Sequence, residues 1–272
     1  MRRLLPLVIV LATACATDTV ELSYGLEPGR RLEYELRLSA DVERTLSREA
    51  VEQRIEATFR ARQQILEPLS GGGATARMEL LPTSLVIDGE PVNPGPSQAF
   101  IVALGHDGRV VEIDAPDEDD GAALGPVSVE RLLPRLRPVL PGAAVAPGQA
   151  WRSDTTFTDR DGRFSLESES RLERLGTVAD REAALVRTTY VSPVDRREAF
   201  ANAVAELDGT DVGVQEAWFA LDGFLLRSRG DSLGTYDVTF RPPGEEAGLQ
   251  PVEGSLVVEL HTEMVLVEEA GA

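Results

Sequence analysis

The sequence predicts a mainly β protein in which two diverged antiparallel β-meander repeats form a curved sheet or half-barrel, with a short connecting helix. Three observations predict this class. Apolar and polar residues alternate over long stretches, as they do in a strand that buries one face. Asp-Gly pairs, which favour the positive φ of tight hairpin turns, lie between several apolar stretches. The order of strand and turn signals in the first half recurs in the second half, which indicates a repeat.

The N-terminus is typical of a secreted protein. Met1-Arg2-Arg3 is a short cationic start, and the apolar stretch 4–14 is too short to cross a hydrocarbon core of roughly 30 Å as a helix. We therefore predict a signal peptide over residues 1–14. The alternative is an ordinary secretory peptide followed by a chance cysteine.

Cys15 is the only cysteine of the 272 residues, which argues against a disulfide framework or a zinc site. The preceding stretch Leu11-Ala12-Thr13-Ala14 resembles the lipobox of bacterial lipoproteins, although Ala12 stands where that motif usually has leucine. The resemblance implies that Cys15 is lipidated and becomes the mature N-terminus of a tether over residues 15–27. By resemblance to the sorting rule of enterobacterial lipoproteins, Ala16 favours the outer membrane, facing the periplasm.

Charge and composition exclude several classes of partner. The formal net charge is −19, and loss of the two arginines of the signal peptide takes it to −21. Such a surface repels nucleic acid and anionic headgroups, so we expect neither as a partner. With 42% hydrophobic residues, the mature chain is able to build a core.

The first β repeat is predicted over residues 28–115. Apolar side chains occupy every second position from Leu32 to Val42, the period of a half-buried strand, and the alternation recurs around Phe59 and Met78. The stretch 100–113 then has an Asp-Gly pair between two apolar runs, which predicts a hairpin.

Residues 116–147 are predicted to be an acidic loop and a short helix that link the repeats. The acidic run 116–121 is typical of a solvated loop. Ser128 is suited to cap a helix, which Pro134 and Pro138 keep short or split into two turns. The apolar face of this helix comprises Val129, Leu132, Leu133 and Leu136.

The second β repeat is predicted over residues 148–267, with a tail at 268–272. Its stretch 217–228 shares with 100–113 an Ala-Leu, an Asp-Gly turn and an apolar return strand. Alternation returns between residues 256 and 266. For 195–209 we predict a short helix or irregular insert. The residues that fit a capping pair and a helical face are Asp195, Glu198, Phe200, Ala203, Val204 and Leu207.

A Leu-rich turn, a Leu-Pro pair and then Pro147-Gly148-Gln149-Ala150-Trp151 resemble the arrangement in families of uncharacterised bacterial envelope proteins, classed as domains of unknown function. The resemblance implies no catalytic residues. The two meanders are able to pack on each other, or to form one curved sheet whose concave side is closed by the helix. The second arrangement resembles, at the level of the fold, the half-barrel of lipoprotein carriers.

The stretch Gly230-Asp231-Ser232-Leu233-Gly234 matches the G-x-S-x-G pattern of a hydrolase nucleophile and the block of the GDSL esterases. Both need a strand, a sharp turn and a helix, whereas an alternating stretch follows here. His261 lacks the aspartate that the GDSL pattern places ahead of its histidine. We therefore interpret the stretch as a hairpin turn and predict no enzyme activity, with Ser232 as the residual candidate for a hydrolase.

We expect no metal and no cofactor, because the two histidines have no ligand-spaced partners and the acidic loops lack the ligand pattern of a calcium site. The predicted role is that of an anchored envelope lipoprotein with a structural or protein-interaction function. The alternative is carriage of an apolar ligand, such as an acyl chain, in a cavity of roughly 300 Å³ or more. The candidate lining is Leu36, Phe59, Met78, Leu132, Leu133, Phe219 and Leu260.

Overall fold

The computed structural model describes residues 19–47, 49–114, 129–159, 162–200, 203–241 and 251–270. These residues are mainly in strands, which confirms the predicted class. The strands are β1 (Arg31–Leu46), β2 (Glu49–Pro68), β3 (Ala74–Ile87), β4 (Glu90–Pro91), β5 (Gln98–Leu104), β6 (Val110–Asp114), β7 (Ala150–Asp159), β8 (Gly162–Val178), β9 (Arg181–Phe200), β10 (Ala203–Ala220), β11 (Phe224–Arg241) and β12 (Val252–Ala270). The helix is α1 (Val129–Leu136).

The strands form one antiparallel sheet made of two meanders. The order is β6-β5-β3-β2-β1-β12-β11-β10-β9-β8-β7, with β4 paired to β3. Strands β1 to β6 form the first meander and β7 to β12 the second, and the β1–β12 ladder joins them. Cα atoms of the two edge strands, β6 and β7, come within 8 Å of each other. The sheet is therefore curved, as predicted, and it closes further than a half-barrel does.

Alternation in the sequence becomes an inner and an outer face of this sheet. In β1, Leu32, Tyr34, Leu36 and Leu38 are buried inside, and the residues between them lie outside or half-buried. Leu36 lies opposite Phe59 of β2 on one side and opposite Met264 of β12 on the other. Each such side chain contributes about 1.5–3 kcal/mol when it leaves water, so the pattern strongly specifies the register.

Two Asp-Gly turns occupy corresponding places in the two meanders. One lies between β5 and β6, and the other lies between β10 and β11. Gly108 follows β5 with φ 82° and Gly223 follows β10 with φ 102°. Side chains rarely adopt this region, so glycine is suited to both places. In the third predicted pair Asp161 lies outside the described residues, although Asp159 pairs with Gly162.

The prediction of a helix or irregular insert at 195–209 is wrong, because the stretch forms the end of β9 and the start of β10. Asp195 pairs with Asp208 and Arg196 with Leu207. Strand β10 is hydrogen-bonded on both sides, so its backbone groups have partners that a short isolated helix cannot offer at its ends. Those long-range ladders outweigh the helical spacing of a few apolar residues.

The predicted short helix is confirmed, with Pro134 inside it near its end. Leu132, Leu133 and Leu136 are buried in the main core cluster, together with side chains of both meanders. Helix α1 therefore covers the inner face of the sheet. Ser128, the predicted cap, and the acidic run 116–121 lie outside the described residues.

Part of the predicted tether is packed on the body. Val20 forms an antiparallel bridge with Val145, and Leu22 is only 3% exposed. The Tyr24 ring meets the Phe219 ring edge-on, with 4.8 Å between the centroids. The spacing of Val20, Leu22 and Tyr24 is that of a strand with one buried face, so this segment closes the end of the sheet that carries the two Asp-Gly turns.

Candidate functional site

The inner face of the second meander contains a buried polar layer between apolar zones. Strand alternation that brings apolar residues inside also brings hydroxyl and amide side chains inside. Ser153 and Ser168 Oγ atoms lie 2.8 Å apart, and Gln215 Nε2 donates to Ser228 Oγ at 2.9 Å. These two hydrogen bonds offset much of the cost of removing the four polar side chains from water. The layer comprises Ser153, Thr155, Ser168, Ser170, Thr188, Ser192, Asp211, Gln215 and Ser228.

An ion pair links helix α1 to this layer. Arg135 of α1 donates to one carboxylate oxygen of Asp211 in β10, and the Tyr236 hydroxyl of β11 donates to the other. The Arg135 side chain is 11% exposed and the Asp211 side chain is 7% exposed. Burial, and then the negative charge of Asp211, raises the pKa of Tyr236 well above its ordinary value. The phenol therefore stays protonated and remains a donor.

Two glycines make room for these groups. A Cβ at Gly234 would overlap the Asp211 carboxylate and the Tyr236 hydroxyl, and a Cβ at Gly213 would overlap the Tyr190 ring. Glycine inside a strand often marks such a close approach. Close packing thus accounts for the glycine at position 234 of the G-x-S-x-G stretch, without any catalytic role for Ser232.

A small cavity of about 40 Å³ lies next to this ion pair, lined by Arg131, Leu132, Asp211, Ser232 and Leu260 among others. A water molecule needs at least about 10–15 Å³ of such space, and ligand pockets take about 300–1,000 Å³. The cavity is therefore suited to water rather than to an acyl chain.

The residues after α1 are fixed by polar contacts at the other end of the sheet. Arg137 donates to Gln63 Oε1 of β2 at 2.9 Å. The Tyr24 hydroxyl donates to the Pro138 carbonyl at 2.9 Å, and Trp151 Nε1 donates to the Val139 carbonyl at 2.7 Å. Together with the Arg135–Asp211 pair, these bonds hold the helix and its extension inside the sheet.

All seven residues predicted to line an apolar cavity point into the interior and are buried. Leu36, Phe59, Met78, Leu132, Leu133 and Leu260 belong to one core cluster. Phe219 belongs to a second cluster, with Leu22 and Leu140. The sequence therefore identified inward-facing positions, and the structure packs them against each other and against α1.

The interpretation of 230–234 as a hairpin turn is wrong, because the stretch lies within β11. Ser232 pairs with Gly213 of β10 and Leu260 of β12. It lines the interior cavity. His261 lies on the outer face of the sheet in contact with Asp231. The strand-turn-helix geometry of a nucleophile elbow is not found at Ser232, and the sheet separates this serine from His261.

The outer surface formed by the described residues includes two open clefts. One of about 500 Å³ is lined mainly by charged side chains such as Arg62, Glu79 and Glu268, and the other, of about 420 Å³, includes Arg37 and Glu263. None of the seven predicted lining residues contributes to either cleft.

Within the described ranges, no group of three or more His, Cys, Asp or Glu side chains is placed to hold a metal ion. The same ranges include no helix long and apolar enough to cross a membrane. Cys15 lies outside them, so its predicted lipidation stays a prediction. The chain matches no protein-family model, and no curated protein is significantly similar to it.

Proposed function

We propose that this protein is an envelope lipoprotein, anchored through an acylated Cys15 in the outer membrane and facing the periplasm, with a non-catalytic structural or interaction role. The observation that carries the proposal is the filled interior. The apolar side chains of both meanders pack on helix α1, and the interior cavity next to the helix measures about 40 Å³. A protein whose interior is occupied by its own side chains offers its outer surface for function.

The N-terminal segment supports close anchoring. Val20 is bridged to Val145, so at most about 18 Å of extended chain joins it to Cys15. An acyl chain contributes about 0.8 kcal/mol per buried methylene, which is sufficient for stable attachment when several chains share one residue. The end of the sheet with the two Asp-Gly turns would then face the bilayer, and the outer face of the strands would stand clear of it.

Carriage of an apolar ligand, the alternative hypothesis, needs a void that α1 now occupies. The residues predicted to line the void pack against α1 and one another, so they would surround an empty space only if α1 left the sheet. The contacts of Arg135 with Asp211 and of Arg137 with Gln63 oppose that movement. We therefore propose the interaction role as the function.

Acyl labelling of the protein in cells tests the anchor. We expect wild-type protein to incorporate an alkyne-tagged palmitate and to fractionate with the outer membrane. Cys15→Ala should lose both the label and the membrane. Ala16→Asp is the matched control, because it should keep the label and move to the inner membrane if the enterobacterial sorting rule applies. An unlabelled wild-type protein, or a membrane-bound Cys15→Ala variant, would refute the proposed anchor.

A further inference from the structure

The outer face of the second meander carries three exposed apolar side chains in one row. Val212 of β10 lies directly opposite Val191 of β9 and Leu233 of β11. They are 44%, 45% and 40% exposed. The outer face of a half-buried antiparallel sheet is usually polar, so a row of this kind is unusual. With strands about 4.8 Å apart, the row forms a continuous strip about 10 Å wide.

Carboxylates extend the same row on both sides. Glu167 lies opposite Val191 on β8, and Asp154 lies opposite Glu167 on β7. On the other side, Glu259 lies opposite Leu233 on β12, and Asp41 lies opposite Glu259 on β1. All four carboxylates are exposed. The apolar strip is therefore flanked by two acidic residues at each end.

These pairs of acidic neighbours are costly in the free protein. Like charges directly opposite each other on paired strands are destabilising. Among the described residues, Asp41, Asp154, Glu167 and Glu259 form no ion pair that would offset this repulsion. A cationic partner would relieve this repulsion.

A second acidic row borders the strip along the strands. Asp208 of β10 lies between Asp195 of β9 and Asp237 of β11, and all three are exposed. An uncharged row separates them from the strip. That row comprises Pro193, Thr210 and Thr235.

On the opposite side the row next to the strip comprises Thr189, Val214 and Asp231, and Asp231 contacts His261. Beyond it Glu216 of β10 lies between Arg187 and Arg229. Rows of carboxylates therefore bound the strip on three sides, and residues of mixed charge bound it on the fourth. We call this surface, centred on Val191, Val212 and Leu233 and bordered by these carboxylates, the acid-bordered strip.

We propose that the acid-bordered strip docks a partner protein whose contact surface has an apolar centre and flanking lysine or arginine side chains. An apolar centre with a charged rim is the usual anatomy of a protein interface, and complementary charge sets the choice of partner. A second copy of this chain would bring the same carboxylates, and an anionic bilayer would bring the same sign of charge. This inference rests on the proposed interaction role and gives the chemistry of the partner.

The probes are two cyclic β-hairpin peptides with the same valine and leucine face, one flanked by four arginines and its twin by four glutamates. Binding to the full mature chain in detergent is measured by fluorescence anisotropy over a series of salt concentrations. We expect the arginine hairpin to bind at least tenfold more tightly than the glutamate hairpin. We also expect its affinity to fall as salt rises.

Matched variants locate the binding. Val212→Asn should weaken binding of the arginine hairpin at least tenfold, whereas Val51→Asn, at a comparably exposed valine of β2, should change it less than twofold. Reversal of charge in Glu167→Arg/Glu259→Arg should invert the preference toward the glutamate hairpin. The same change of net charge elsewhere, in Glu52→Arg/Glu112→Arg, should leave the preference unchanged.

Equal binding of the two hairpins, no binding of either, or equal effects of the patch and control variants would overturn the proposal. A dimer that dissociates in Val212→Asn would assign the strip to a second copy, and binding of anionic vesicles that is lost in Val212→Asn would assign it to lipid. Either result also overturns the proposal. None of these outcomes bears on acylation of Cys15 or on the filled interior, which are measured separately.

Discussion

Removal of the negative charge at Asp211 should destabilise the protein far more than removal of the whole ion pair. In Asp211→Asn the amide keeps the size of the side chain and still accepts a hydrogen bond from Tyr236. Arg135 would remain charged, in a place where its side chain is only 11% exposed. Arg131 and Arg196 line the same cavity, so further positive charge lies close by.

The magnitude follows from the burial of the pair. Two unit charges about 4 Å apart interact by about 4 kcal/mol at an effective dielectric constant of 20. Removal of one partner from a buried pair typically costs about 3–5 kcal/mol, because an uncompensated charge remains. Removal of both charges is often close to neutral. We therefore expect a loss of about 3 kcal/mol or more in Asp211→Asn, and recovery of at least half of it in Arg135→Met/Asp211→Asn.

Urea unfolding followed by tryptophan fluorescence measures this difference. Trp151 donates to the Val139 carbonyl just after helix α1, so its emission reports on the region where the helix is held. With a slope of about 3 kcal/mol per molar urea, the midpoint of Asp211→Asn should fall by about 1 M or more. A loss below about 1 kcal/mol, or a double variant less stable than Asp211→Asn alone, would refute the assignment of a buried, mutually dependent pair.

Three further predictions concern the ends and the outer face of the sheet. Burial raises the pKa of Glu269, but the hydrogen bonds and charges of Arg30 and Arg181 outweigh this effect, so the pKa is lowered. The stabilisation by Glu269 should therefore be present above about pH 4.3 and be lost as pH falls through the folded-state pKa. The pH-dependent stability curves of wild type and Glu269→Gln should converge in acid. Gly223→Ala should cost more stability than Gly89→Ala. Both glycines have positive φ, but a Cβ at Gly223 would lie 2.5 Å from the Gly25 backbone nitrogen, whereas a Cβ at Gly89 would meet nothing within 4 Å. Equal losses in thermal unfolding would contradict this packing. Asp208→Asn should raise the free energy of unfolding by about 0.2–1 kcal/mol at low salt, because two aspartates flank it; an unchanged or lower value would count against repulsion there.

The sequence was sufficient to predict the sheet, because its signals are local and repeated. Alternation from Leu32 to Val42 and the Asp-Gly turns at 107–108 and 222–223 each correspond to an element of the structure. Pairing of β1 with β12, which joins the meanders, depends on residues more than 200 positions apart and has no local signal. The errors at 195–209 and 230–234 have one cause. Their helical and turn signals are local, whereas ladders on both sides of each strand decide the outcome.

The polar interior was missed for a different reason. Ser168 and Ser170 occupy inward positions of β8, yet serine between charged residues in a strand gives no sign of which face is buried. Asp211 likewise resembles the many exposed acidic residues of this chain, and what distinguishes it is contact with Arg135, 76 positions away, and with Tyr236. The available signal was the placement of Gly213 and Gly234 within alternating stretches, which indicates close approach of other groups.

Native mass spectrometry of the body, residues 16–272 secreted to the periplasm behind a cleavable signal, tests the filled interior most directly. We expect the folded protein to have the mass of the polypeptide alone, and organic extracts of it to match those of a Leu133→Asp control. A stoichiometric lipid or other apolar molecule, present in wild type and lost from Leu133→Asp, would contradict the account. Such a result would show that helix α1 leaves the sheet to admit a ligand.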